Sequence, residues 1–104
     1  MADYYDADTE NGDNIADPSE DALFMLLEDL NPDGNTFITI NPADDSDWYA
    51  SITLLDNGSY EIERHDPSRH QHEVTADTDL SAIAKNLTIW LADRDHPGRP
   101  TNRS

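Results

Sequence analysis

The chain predicts an α+β domain with elements in the order α-β-β-β-β-α, an antiparallel four-stranded sheet with two helices packed on one face. Two observations frame the prediction: leucines and isoleucines recur at helical spacing near residues 23–30 and again at 80–91, and the stretch between them is rich in β-branched and aromatic residues. A third, Asp56-Asn57-Gly58 between two such runs, reads as a hairpin turn. At 104 residues, 36% hydrophobic and 28% charged, the chain has material for one core if its polar ends stay outside. The expected division is an acidic, disordered tail over residues 1–16, a single domain over 17–96 and a loose C-terminal tail over 97–104.

The first helix begins at Asp17-Pro18. Asp suits a cap, Pro suits the first helical position, and Glu20 and Asp21 complement the helix dipole. Leu23, Leu26, Leu27 and Leu30 form its apolar stripe, and Asn31-Pro32-Asp33-Gly34 ends it. Thr36–Ile40 is the first strand. Tyr49–Leu55 and Ser59–His65 form the hairpin, and its register follows from the pattern of faces. A two-residue turn would set Leu54 against Glu61 and mix faces on every rung. A three-residue loop with Gly58 left-handed pairs Leu54 with Tyr60 and Ile52 with Ile62. That register buries Ala50, Ile52, Leu54, Tyr60 and Ile62 together and turns Tyr49, Ser51, Thr53, Glu61, Glu63 and His65 the other way. A short strand over Gln71–Thr75 extends the sheet. The last helix, capped by Asp77 or Thr78, carries Leu80, Ile83, Ala84, Leu87, Trp90 and Leu91 on one face, and His96-Pro97-Gly98-Arg99-Pro100 stops it.

Charge is the most unusual feature. There are 23 Asp plus Glu against 6 Lys plus Arg, a formal net charge of -17. No Lys or Arg precedes Arg64, and 17 of the acids lie in residues 1–63, whereas the remaining 41 residues carry six acids and six bases. Such a field repels nucleic acid and anionic membrane and steers basic partners inward. The expected partner is therefore a basic protein, either a toxin or a nucleic-acid-binding protein, with no direct nucleic acid and no membrane contact. With no cysteine, no signal-like N-terminal pattern and no long apolar run, a cytoplasmic location is expected.

Catalytic signatures are weak throughout. Nucleophile motifs and phosphate-cradling glycine loops are absent, and the many carboxylates lie outside apolar runs that would desolvate them, so no enzymatic activity is expected. His65, His70 and His72 are the candidate metal ligands. Mixed with Arg64 and Arg69, and without a further ligand at fixed spacing, they read as surface residues. Asp6, Asp8, Glu10 and Gly12 imitate the start of a calcium loop, but the glycine falls one place late and Asp17, not Glu, stands at the closing position. No metal or other cofactor is expected. The candidate partner-binding residues are Asp44, Asp45, Asp47, Trp48, Tyr49, Glu61 and Glu63, acids beside aromatics that can pair with Lys or Arg while supplying apolar anchor area. Trp48 and Tyr49 can equally complete the core at a strand start, and Trp90 reads as core.

A helix, several strands, the closing helix from Leu80 to Leu91 and the following Arg99-Pro100-Thr101 together resemble a family of small αβ immunity proteins from actinobacterial polymorphic toxin systems, over residues 18–101. The resemblance implies neutralisation of a cognate toxin by direct binding. The resulting expectation is a non-enzymatic immunity protein that covers the basic substrate surface of a nucleic-acid-acting toxin. The alternatives are a DNA-mimic inhibitor of a DNA-binding protein and a salt-adapted acidic accessory domain.

Overall fold

Residues 4–43 and 46–93 are described by the computed structural model, and the expected α+β class holds with one correction: the antiparallel sheet has six strands rather than four. The elements are β1 (Tyr5–Thr9), β2 (Asn14–Ala16), α1 (Glu20–Glu28), β3 (Phe37–Pro42), β4 (Tyr49–Leu54), β5 (Tyr60–Asp66), β6 (Gln71–Asp77) and α2 (Leu80–Ala92), with a 3-10 turn at Pro67–Arg69. Across the sheet the order is β2-β1-β3-β4-β5-β6. Each neighbouring pair is antiparallel.

The two additional strands come from the acidic segment expected to lie outside the domain. Its pattern has a period of two: Tyr5, Ala7 and Thr9 turn inward and Asp6 and Asp8 outward. Ala7 is fully buried and pairs with Ile40 of β3. A turn closes the β1–β2 hairpin, with Gly12 at φ 99° and the Thr9 hydroxyl accepting from the Asp13 amide at 3.0 Å. Beyond β2, Asp17 adopts a left-handed conformation (φ 45°). Its carboxylate accepts from the amides of Tyr4 (3.0 Å) and Tyr5 (3.1 Å), holding the start of β1. Asp17 is thus a clasp for the hairpin. The cap of α1 is Ser19, whose hydroxyl accepts from the Ala22 amide at 3.1 Å.

The β4–β5 hairpin has the expected register, with Leu54 opposite Tyr60 and Ile52 opposite Ile62. Gly58 takes φ 86°, and the Asn57 side chain accepts from the Ser59 amide at 3.0 Å. The strand after the 3-10 turn runs two residues further than expected, to Asp77. Asp77 accepts from the amides of Thr78 (2.7 Å) and Asp79 (3.0 Å), which ends β6, and Asp79 caps α2 through the Ala82 amide at 3.2 Å. The proline-rich helix stop and the C-terminal tail lie outside the described residues.

Both helices cover the same face of the sheet. Leu23, Leu26 and Leu27 of α1 and Ile83, Leu87, Trp90 and Leu91 of α2 share one buried cluster with Ala7, Ile38, Ile40, Ala50, Ile52 and Ile62 from the strands. Each fully buried Leu or Ile contributes about 1.5–3 kcal/mol of transfer free energy. Trp48, at the entry to β4, meets Trp90 edge-on at 5.7 Å and Tyr5 at 6.1 Å, so three aromatics join the N-terminal hairpin, the central sheet and the last helix. The indole N–H of Trp90 donates to the Gln71 side chain at 3.1 Å, tying α2 to β6. No helix among the described residues is long and apolar enough to cross a membrane.

Candidate functional site: the uncovered face of the sheet

Alternation along each strand sends half of the sheet's side chains away from the helices. From β1 to β6 these are Asp6 and Asp8; Phe37, Thr39 and Asn41; Tyr49, Ser51 and Thr53; Glu61, Glu63 and His65; His72, Val74 and Ala76. None of them is buried, whereas their inward neighbours Ala7, Ile38, Ile40, Ala50, Ile52 and Ile62 are. The strand registers align Asp8, Thr39, Ser51, Glu63 and Val74 in one row across the sheet. Phe37, Thr53, Glu61 and Ala76 form the next. Two carboxylate pairs, Asp6/Asp8 and Glu61/Glu63, therefore stand three strand spacings apart, roughly 14 Å at about 4.8 Å per step. Thr39, Asn41, Ser51 and Thr53 fill the interval together with the aromatic rings of Phe37 and Tyr49.

No Lys or Arg stands on this face among the described residues. Arg64 points to the helix side of β5, where it lies 3.8 Å from Glu73. Arg69 pairs with Asp93 at 2.9 Å and Asp66 at 3.8 Å near the end of the sheet, and Lys85 is on α2. Among the described residues the acids on the open face are consequently offset only by histidine and by neutral donors. The Asn14 side chain donates to Asp6 (2.9 Å) and Asp8 (2.6 Å).

At the β4–β6 end, four side chains form a connected cluster. The Tyr49 hydroxyl donates to Glu63 Oε2 at 3.0 Å, and His72 Nε2 lies 2.8 Å from the same oxygen. Tyr49 stacks on His65 with ring centroids 5.0 Å apart, and His65 meets His72 edge-on at 5.1 Å. The His72 hydrogen bond, followed by that from Tyr49, holds the Glu63 carboxyl below the usual glutamate range. The bond to Glu63 in turn pushes the Tyr49 hydroxyl up. The result is an aromatic platform with a fixed, ionised carboxylate beside it, a surface that can take a guanidinium both by stacking and by charge.

Of the residues singled out from sequence, Tyr49, Glu61 and Glu63 lie on this face. Trp48 is in the core, 6% exposed, and Asp47 is exposed in the loop before β4. Asp44 and Asp45 lie outside the described residues. The three candidate metal ligands separate: His65 and His72 are neighbours, while His70 ends the 3-10 turn in a left-handed conformation (φ 52°). Among the described residues no three His, Asp or Glu side chains are placed to hold a metal ion. The calcium-like run is divided between strand and turn, with Asp6 and Asp8 in β1 and Glu10 and Gly12 in the turn after it, and Glu10 accepts from the backbone and hydroxyl of Thr36 at 2.7 and 2.6 Å. Sequence reasoning missed Asp6 and Asp8, for which the Tyr5-Asp6-Ala7-Asp8-Thr9 alternation was the available signal. Two shallow recesses flank α1, about 240 Å³ beside α2 at Phe24 and about 340 Å³ beside β2 at Ile15 and Met25. The chain matches no protein-family model, no curated protein and no solved structure.

Proposed function

We propose that the protein is a non-enzymatic inhibitor of the immunity type, which uses the uncovered sheet face to occupy the basic, nucleic-acid-binding surface of a toxin. The observation that carries this reading is the lack of opposing charge on the open face: Asp6, Asp8, Glu61 and Glu63 share a solvent-facing sheet surface that has no Lys or Arg among the described residues. An open antiparallel face ordinarily carries both signs of charge. Here one sign prevails, which favours rapid, salt-dependent capture of a cationic groove. The two carboxylate rows are separated by roughly 14 Å, comparable with the ~12 Å width of the DNA major groove. That spacing also supports the close variant, a DNA mimic acting on a DNA-binding protein. The resemblance of the chain's outline to immunity proteins favours the toxin.

The test compares two variants of equal charge change. One neutralises the face (Asp6→Asn, Asp8→Asn, Glu61→Gln, Glu63→Gln); the other neutralises α1 and its exit (Glu20→Gln, Asp21→Asn, Glu28→Gln, Asp33→Asn). Each is used at low salt to capture proteins from a lysate of the source cells. Capture of a discrete basic protein by the wild type and the helix variant, lost in the face variant, together with inhibition of that protein's nuclease activity, is the expected result. Equal loss in both variants would reduce the effect to bulk charge and refute the reading.

A further inference from the structure

We propose that the outer edge of β6 is a self-association surface, on which a second copy of the chain adds its own β6 antiparallel and joins two six-stranded sheets into one. β6 ends the strand order, so no other strand of the described residues pairs with its outer edge over residues 72–76. It is seven residues long, and residues 72–76 are all exposed. An edge of this length is normally blunted by proline, lysine or a bulge. Gln71-His72-Glu73-Val74-Thr75-Ala76-Asp77 has neither proline nor lysine and pairs with β5 in continuous register, and Val74 at its centre is 55% exposed.

Two features select a second copy as the occupant. The exposed stretch is self-complementary about Val74: antiparallel pairing on a two-fold axis sets Val74 against Val74, Glu73 against Thr75 and His72 against Ala76. No like-charged pair faces itself. The strand order also places this edge far from the acid-rich hairpin, because β1 and β2 occupy the opposite side of the sheet. Glu73, the one acid among residues 72–76, lies 3.8 Å from Arg64, so its charge is partly offset where two acidic chains would meet. The opposite edge, β2, is only three residues long and is flanked by Asp13 and Asp17. With the two-fold axis normal to the sheet, both uncovered faces lie on the same side.

Sedimentation equilibrium of the full chain in about 0.15 M and 0.5 M salt tests the proposal without reference to any partner. The expected species is a dimer of the 11.7 kDa chain, strengthened by the higher salt. Val74→Lys puts two lysines on the axis and is expected to weaken association at least about tenfold, even though it reduces the chain's net charge. Ile89→Lys makes the same charge change at an exposed site on α2 and is expected to leave the dimer intact. A monomer at every concentration and in both salts would overturn the proposal, as would a dimer indifferent to Val74→Lys or one disrupted equally by both variants.

Discussion

Replacing Asp17 tests whether the N-terminal hairpin belongs to the domain. Its carboxylate accepts from two amides, those of Tyr4 and Tyr5, and its backbone is left-handed at φ 45°. At a part-buried site, each such bond contributes about 1 kcal/mol net. Alanine at that φ adds about 1–2 kcal/mol of strain. Asp17→Ala should therefore cost about 3–4 kcal/mol, against a total of roughly 5–15 kcal/mol for a domain of this size. Asp17→Gly removes the strain and keeps the bond loss, at about 2 kcal/mol, whereas Asp17→Asn retains an acceptor and should cost less. Were Asp17 a simple helix cap, glycine would cost only a few tenths of a kcal/mol. Urea unfolding followed by tryptophan fluorescence measures the series, because Trp48 packs against Tyr5. A second readout is the Tyr5 hydroxyl, pushed up by burial and then by the Asp17 charge, so Asp17→Asn should lower its titration midpoint. Asp17→Gly within about 0.5 kcal/mol of wild type would refute the clasp.

Leu87→Ala, at a fully buried position of α2, should cost about 2–5 kcal/mol in the same assay. Gly58→Ala meets no atom within 4 Å but must hold φ 86°; a loss of about 1 kcal/mol, with the fold intact by circular dichroism, is expected from backbone strain alone. Because the Glu63 carboxyl is held below its ordinary range, its contribution to stability is present above the unfolded value of about 4.3. That contribution is lost as the pH falls through the lower folded value. Melting temperatures of Glu63→Gln should consequently decline less steeply than wild type below about pH 4.3. The same substitution should bring the Tyr49 hydroxyl down toward the ordinary tyrosine range in an ultraviolet titration.

The legible parts of the fold were those where one physical signal dominated. Leu80 to Leu91 announces a helix by spacing alone, and the β4–β5 register follows from keeping Ile52 and Ile62 on one face. The hairpin at residues 5–16 was hidden because its inward positions are Tyr5, Ala7 and Thr9, which carry little hydropathy, while Asp6 and Asp8 dominate the composition. Burial of Ala7 depends on Ile40 lying opposite, and no local pattern reveals that. Caps were misplaced by one or two residues for a related reason: Asp17, Ser19, Asp77, Thr78 and Asp79 are all competent caps, and the path of the entering chain chooses among them. The candidate face was half legible. Glu61, Glu63 and Tyr49 followed from the hairpin register, but the Asp6/Asp8 row required the topology that brings β1 beside β3, and Trp48 was drawn inward by Tyr5 and Trp90.

The most direct test of the acidic sheet face is a nuclear magnetic resonance titration of the protein with an oligo-arginine peptide at low and at high salt. The account predicts shifts concentrated at Asp6, Asp8, Tyr49, Glu61 and Glu63, strong at low salt and suppressed at high salt, with little change at Glu20, Asp21 and Glu28 of α1. Shifts spread evenly over every exposed acid, or centred on α1, would contradict it.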